Sequence, residues 1–122
     1  MGKTVLTVDD SATVRSMLDR ALAEAGHTVL QACDGIEGLE LLEAHQPDLV
    51  ITDINMPRLD GYGFIERLRS EGRNRGLPVL VLTTESDEAS KDRARKAGAT
   101  GWIVKPFDPQ RLLDAVRRVC GA

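Results

Sequence analysis

Apolar residues gather in five short runs along this chain, at positions 4–8, 27–32, 49–51, 78–82 and 101–104. Runs of that length, rich in Val, Leu and Ile, predict strands. In Leu49-Val50-Ile51 no polar residue alternates with the apolar ones, which predicts a strand covered on both faces. Between the runs apolar residues recur at helical spacing. Val14, Met17, Leu18, Leu22 and Ala25 mark one face of a first helix, which Ser11 caps and Gly26 stops. Asp34 with Glu37 reads as a capping-box-like start for a second helix through about Ala44. Asp60-Gly61 opens a third, carrying Phe64, Ile65 and Leu68, and a surface loop follows over 71–77. Ser86-Asp87-Glu88 begins a fourth, with acids at its positive end. Its apolar face is only Ala89, Ala94 and Ala97, among Lys91, Arg93, Arg95 and Lys96, and Gly98 ends it. Alanines bury little area, so this helix should be weakly held. Asp108-Pro109 starts the last helix, lined by Leu112, Leu113, Val116 and Val119. Strands alternating with helices predict a parallel sheet covered on both faces, a three-layer α/β/α fold. The pattern does not fix the strand order.

Composition narrows the function classes. A chain of 122 residues, 42% apolar, is expected to form one domain over 1–122 with one shared core. A net charge of −3 and a pI near 5.4 give no electrostatic case for nucleic acid, and no second, DNA-binding domain is expected. Cys33 and Cys120 are too few for a disulfide framework or a cysteine metal cluster and fit a reducing compartment. No apolar run reaches the length of a membrane span, and Met1-Gly2-Lys3-Thr4 lacks the start of a signal peptide. The expectation is a soluble cytoplasmic module. Four aromatic residues argue against a flat cofactor pocket lined by rings.

The strand ends carry the chemistry. Asp9 and Asp10 follow the first strand, Asp53 the third, Thr83 the fourth and Lys105 the fifth. A parallel sheet places all these ends on one edge, where open α/β sheets bind ligands. Three carboxylates gathered there repel unless a positive charge sits among them. A hard divalent cation answers that need, and oxygen ligands suit Mg²⁺. Lys105 adds a fixed positive charge and Thr83 a hydroxyl donor. Acids, metal, ammonium and hydroxyl together describe a site for a phosphoryl group.

Val8-Asp9-Asp10, the stretch Asp53-Ile54-Asn55-Met56-Pro57-Arg58-Leu59-Asp60-Gly61, Thr83 and Lys105-Pro106 resemble the receiver domain of bacterial two-component response regulators. The match runs over essentially the whole chain. The resemblance implies a flavodoxin-like strand order, 2-1-3-4-5. It implies that Asp53 accepts a phosphoryl group from a histidine kinase's phosphohistidine. Asp10, Asp53 and the main-chain carbonyl of Asn55 would bind Mg²⁺, with Asp9 helping through water. Thr83 and Lys105 would hold the phosphoryl oxygens, and Lys105-Pro106 would be a cis peptide. Asn55 and Glu85, two residues after the phosphoacceptor and the threonine, would tune hydrolysis. Within the family the chain is most similar to the CheY-like stand-alone chemotaxis regulators. Those imply a CheA-like kinase, an output protein such as a flagellar motor switch component, and a monomer. Trp102 departs from the family pattern, standing where Tyr or Phe usually forms the ring that swings inward on activation. Two readings of it stay open, switch ring or packing over the fifth strand.

The same fold admits other functions. A phosphate sink or relay intermediate would use the same chemistry. A haloacid-dehalogenase-like phosphatase needs an acid two residues after its nucleophile, and Asn55 stands there. A flavin-binding protein needs a phosphate loop after strand one, where Asp9-Asp10 would repel it. His27 and His45 read as ordinary surface histidines.

Overall fold

The computed structural model describes residues 2–120. β1 (Thr4–Val8), α1 (Ala12–Glu24), β2 (Thr28–Ala32), α2 (Gly35–His45), β3 (Leu49–Thr52), α3 (Gly61–Ser70), β4 (Val79–Thr83), α4 (Glu88–Ala97), β5 (Gly101–Val104) and α5 (Pro109–Cys120) follow one another along the chain. All strand pairs are parallel, in the order β2-β1-β3-β4-β5. This is the order the resemblance implied.

Alternation along each strand splits the core in two. Val5, Leu49, Ile51, Leu80 and Leu82 meet Leu18 and Leu22 of α1 and Leu112 and Val116 of α5. Leu6, Val8, Val50, Val79 and Val81 meet Leu42 of α2, Phe64, Ile65 and Leu68 of α3, and Ala94 and Ala97 of α4. So α1 and α5 cover one face and α2, α3 and α4 the other. Side chains of Ser11, Asp34, Asp60 and Asp87 accept the N–H groups of Val14, Glu37, Gly63 and Ser90, capping the first four helices. Glu37 also accepts the Cys33 N–H at 2.6 Å, one residue earlier than a regular capping box would have it.

Several expectations change at the edges. His27 is not in β2, because its N–H still bonds to Leu22 of α1. Pro78 lies outside β4, and β3 and β4 each run one residue further, to Thr52 and Thr83. The 71–77 loop contains a short 3₁₀ turn at Gly72–Asn74. Backbone bonds from Asn74 N–H to Glu71 O and from Arg75 N–H to Gly72 O close this turn, and the Asn74 side-chain amide ties it to Leu68 O at 3.1 Å. Met17 is 47% exposed and Ala25 is exposed, because α1 buries only a narrow stripe through Leu18 and Leu22. Ala89 is exposed as well. The face of α4 runs through Ser90, Ala94 and Ala97, spaced i, i+4, i+7, and Ala89 falls off it.

Candidate functional site

Strand register sets the site. Val8 pairs with Thr52, so Asp9 and Asp53 leave β1 and β3 side by side. Thr83 pairs with Val104, so Lys105 leaves β5 beside the end of β4. The backbone continues this alignment: Asp53 N–H donates to Val8 O at 2.9 Å, and Lys105 N–H to Thr83 O at 2.8 Å. The Lys105–Pro106 peptide that follows is cis.

Lys105 Nζ then reaches between two acids, donating to Asp9 Oδ2 and to Asp53 Oδ2, each at 2.8 Å. Asp9 is 1% exposed and Asp53 8%. Their other oxygens are also fixed. Asp9 Oδ1 accepts the Ser11 N–H at 2.9 Å, and Asp53 Oδ1 the Ile54 N–H at 2.6 Å. Asp10 is exposed, and carboxylate oxygens of Asp9, Asp10 and Asp53 come within 4.8 Å of one another. Burial alone would lower the pKa of Lys105, but the Asp53 and Asp9 carboxylates outweigh it and hold the ammonium above its ordinary value. Three carboxyl groups face that one ammonium, an excess of acids over bases. An all-oxygen donor set with that excess fits a hard divalent cation. A fixed carboxylate flanked by an ammonium and such a cation site is equipped to take a phosphoryl group.

Among the described residues, the side chains of Thr83 and Asn55 make no hydrogen bond to this cluster. Thr83 is fully buried, and its hydroxyl accepts the Glu85 N–H at 3.4 Å, within its own loop. Asn55 is exposed. With Glu85, Asp60, Tyr62, Ser90 and Arg93 it lines a cleft of about 350 Å³. Glu85 Oε2 is shielded there and has no hydrogen-bond partner among the described residues. Trp102 is half-buried and packs against the core on the α2–α4 side. Its indole N–H also donates to Glu85 O at 3.1 Å, so the ring both packs over β5 and touches the β4–α4 loop.

Two neighbours of the site escape a reading of the sequence. Arg15 Nη1 donates to Asp9 O at 2.6 Å from the first turn of α1. Arg58 Nε and Nη2 donate to the two oxygens of Asp34 at 2.8 and 3.0 Å. Asp34 and Arg58 are 24 positions apart, and nothing in a single sequence marks them as partners. The one available signal for Arg58 is its place inside the Asp53–Asp60 stretch.

Residues 5–117 match the family described as response regulator receiver domain. Chemotaxis protein CheY1 of Helicobacter pylori is 39% identical over 119 residues, 96% of each chain. The structure of chemotaxis protein CheY4 of Vibrio cholerae superposes with a TM-score of 0.94 at 39% identity, covering 98% of this chain and 99% of that one. The receiver domain of a Pseudomonas aeruginosa sensor histidine kinase, solved with magnesium coordinated in its active site cleft, gives 0.92 at 25% identity over the full length of both. Other curated relatives, probable transcriptional regulators, are longer, and the chain spans about half their length, 44% to 47%. No helix among the described residues is long and apolar enough to cross a membrane.

Proposed function

The chain belongs to the response regulator receiver family, and from that premise we propose that Asp53 is its phosphoacceptor, served by a histidine kinase. The observation that carries the reading is the Lys105 ammonium bridging Asp9 and Asp53 at 2.8 Å inside a cluster of three acids. One oxygen of Asp53 attacks the phosphorus of a phosphohistidine. The new O–P bond forms as the P–N bond breaks, and the electron pair stays on the imidazole nitrogen. Asp10, Asp53 and the Asn55 carbonyl would hold Mg²⁺, with Asp9 acting through water, and the cation would offset negative charge on the acids and phosphoryl oxygens. Lys105 exchanges its carboxylate partners for a phosphoryl oxygen. Thr83 turns its hydroxyl from the Glu85 N–H to another phosphoryl oxygen. Asn55 and Glu85 border the path of the hydrolytic water, so the acyl phosphate is short-lived. The protein catalyses its own phosphorylation and dephosphorylation and acts on no further substrate.

The output is a change of protein-binding surface. Drawing Thr83 toward the phosphoryl group pulls on the loop that Trp102 holds through Glu85 O. The α4–β5–α5 face then shifts between two arrangements. Similarity to chemotaxis proteins supports a chemotactic output such as a flagellar motor component. Similarity to the receiver of a sensor kinase supports a second reading, a relay intermediate.

Incubation with an acyl phosphate and Mg²⁺ should add one phosphoryl group by mass. Asp53→Asn and EDTA should each abolish the uptake. Beryllofluoride with Mg²⁺, a mimic of the acyl phosphate, should change Trp102 emission in the wild type and not in Asp53→Asn. Undiminished phosphorylation of Asp53→Asn would sink the assignment.

A further inference from the structure

The loop between β3 and α3 is held in an uncommon way. Arg58 has φ of +66°, in the left-handed region that long L side chains rarely adopt. A conformation of that kind persists only where the surroundings impose it. Beside the packing of Leu59 against Gly35 of α2, the group that holds it is Asp34. Its carboxylate is 5% exposed and is itself fixed, because Oδ1 accepts the Glu37 N–H at 2.9 Å and so caps α2. Arg58 grips that anchored carboxylate with two hydrogen bonds, a fork that lysine could not reproduce. Among the described residues, no other hydrogen bond joins residues 55–59 to a different element. Inside the loop, Leu59 N–H donates to Pro57 O and Gly61 N–H to Ile54 O, each at 2.7 Å. The segment therefore behaves as one stiff piece with a single external polar clamp. Asn55 lies three residues before that clamp.

We propose that Arg58 is a positioning residue. Through Asp34 it holds the β3–α3 loop in the form that presents the Asn55 carbonyl to the divalent cation. This rests on the metal reading given above. For Arg58→Gly a purely electrostatic role gives the opposite sign, because removing a positive charge would tighten Mg²⁺ binding whereas removing a clamp loosens it. For Asp34→Asn both roles loosen it, so Arg58→Gly carries the discrimination.

The test is calorimetric titration of Mg²⁺ into the wild type, Arg58→Gly, Asp34→Asn and the double variant, with backbone amide shifts of residues 53–60 followed in parallel. Glycine accepts the left-handed backbone and asparagine still caps α2, so both single variants should fold, which thermal melting checks. Each single variant should weaken Mg²⁺ binding about tenfold, the lower end of losses for supports behind a metal ligand. The double variant should be no weaker than the singles, because both remove one clamp. Unchanged or tighter binding in the single variants, with the wild type binding normally, overturns the positioning role alone. A wild type that binds no Mg²⁺ overturns the metal reading and this role together.

Discussion

Two passages leave the same edge of the sheet and are built in opposite ways. From β3 the chain enters a loop closed by two internal backbone bonds and clamped through Arg58 to Asp34. It then enters α3, which buries Tyr62, Phe64, Ile65 and Leu68. From β4 it enters a loop held by a 3.4 Å bond to the Thr83 hydroxyl and by the Trp102 indole, and containing an unpartnered carboxylate oxygen. It continues into α4, which buries only Ala94 and Ala97. Burying a large apolar side chain contributes about 1.5–3 kcal/mol, against roughly 0.8 kcal/mol for one methyl-sized group. The other supports of α4 come from α3. Tyr62 Oη donates to Ser90 O at 3.5 Å in the first turn, Arg93 stacks 4.0 Å over the Tyr62 ring, and the Arg69 guanidinium donates twice to Gly98 O, at 3.0 and 2.8 Å, where the helix ends. So α4 is fastened by two charge-assisted bonds at its carboxyl end and by one long hydrogen bond at its amino end. The stitched passage carries Asp53, the proposed phosphoacceptor. The loose one is free to rearrange at low cost, as the proposed switch requires.

The largest break in this comparison should come from the two helices. Phe64→Ala should lose about 4 kcal/mol of unfolding free energy, because the ring is fully buried against Gly38 and Val8. Ala97→Gly in α4 should lose only about 1 kcal/mol. Urea denaturation of both variants measures this, and equal losses would erase the contrast.

Next comes the entry to α3. A Cβ on Gly61 would stand 2.3 Å from Asp53 O and 2.7 Å from Ile54 Cα, both backbone atoms that cannot yield separately. Gly61→Ala should lose about 3 kcal/mol, lowering the melting temperature by roughly 10 °C. Ser86→Ala, in the exposed β4–α4 loop, should stay within about 0.5 kcal/mol of wild type. Calorimetric melts that rank the two the other way would refute the assigned stiffness.

Trp102→Phe sharpens the picture of the loose passage. It removes the indole donor to Glu85 O and should lose about 1 kcal/mol. Amide exchange at residues 85–88 should accelerate while that at 54–60 stays unchanged. Equal protection in the variant and the wild type would mean that the ring does not hold the loop.

The smallest effect concerns acid. Arg58, then the Glu37 N–H, lower the pKa of Asp34 below its ordinary carboxylate value. A depressed folded value stabilises above the unfolded pKa, about 3.9, and that contribution is lost as pH falls through the folded value. Wild type should therefore exceed Asp34→Asn in stability at pH 6, and the gap should close progressively below about pH 4. A gap constant with pH would detach the effect from the ion pair.

Elements and chemistry were largely legible in the sequence, for physical reasons. Strands buried on both faces are mostly apolar, caps favour short polar side chains such as Ser and Asp, and strand-end residues of a parallel sheet share an edge. Those rules locate the five strands, the helix starts and the group Asp9, Asp10, Asp53, Thr83 and Lys105. Boundaries were less legible. His27 and Pro78 are excluded from strands by where their backbone groups bond, and Ala89 falls off the face of α4 by a rotation that composition does not show.

What the sequence determined by itself was local: hydrophobic period, capping residue and the polar side chain after each strand. All of these act over a few positions of one chain segment. What only the tertiary structure decided was which distant groups meet. The register of β1 against β3 sets Asp9 beside Asp53, and β5 brings Lys105 between them across 52 and 96 positions of chain. The Asp34–Arg58 clamp, the Trp102–Glu85 bond and the thin support of α4 belong to the same class. Such contacts arise only after the sheet has ordered its strands, because a side chain's partner depends on the global packing and not on its sequence neighbours.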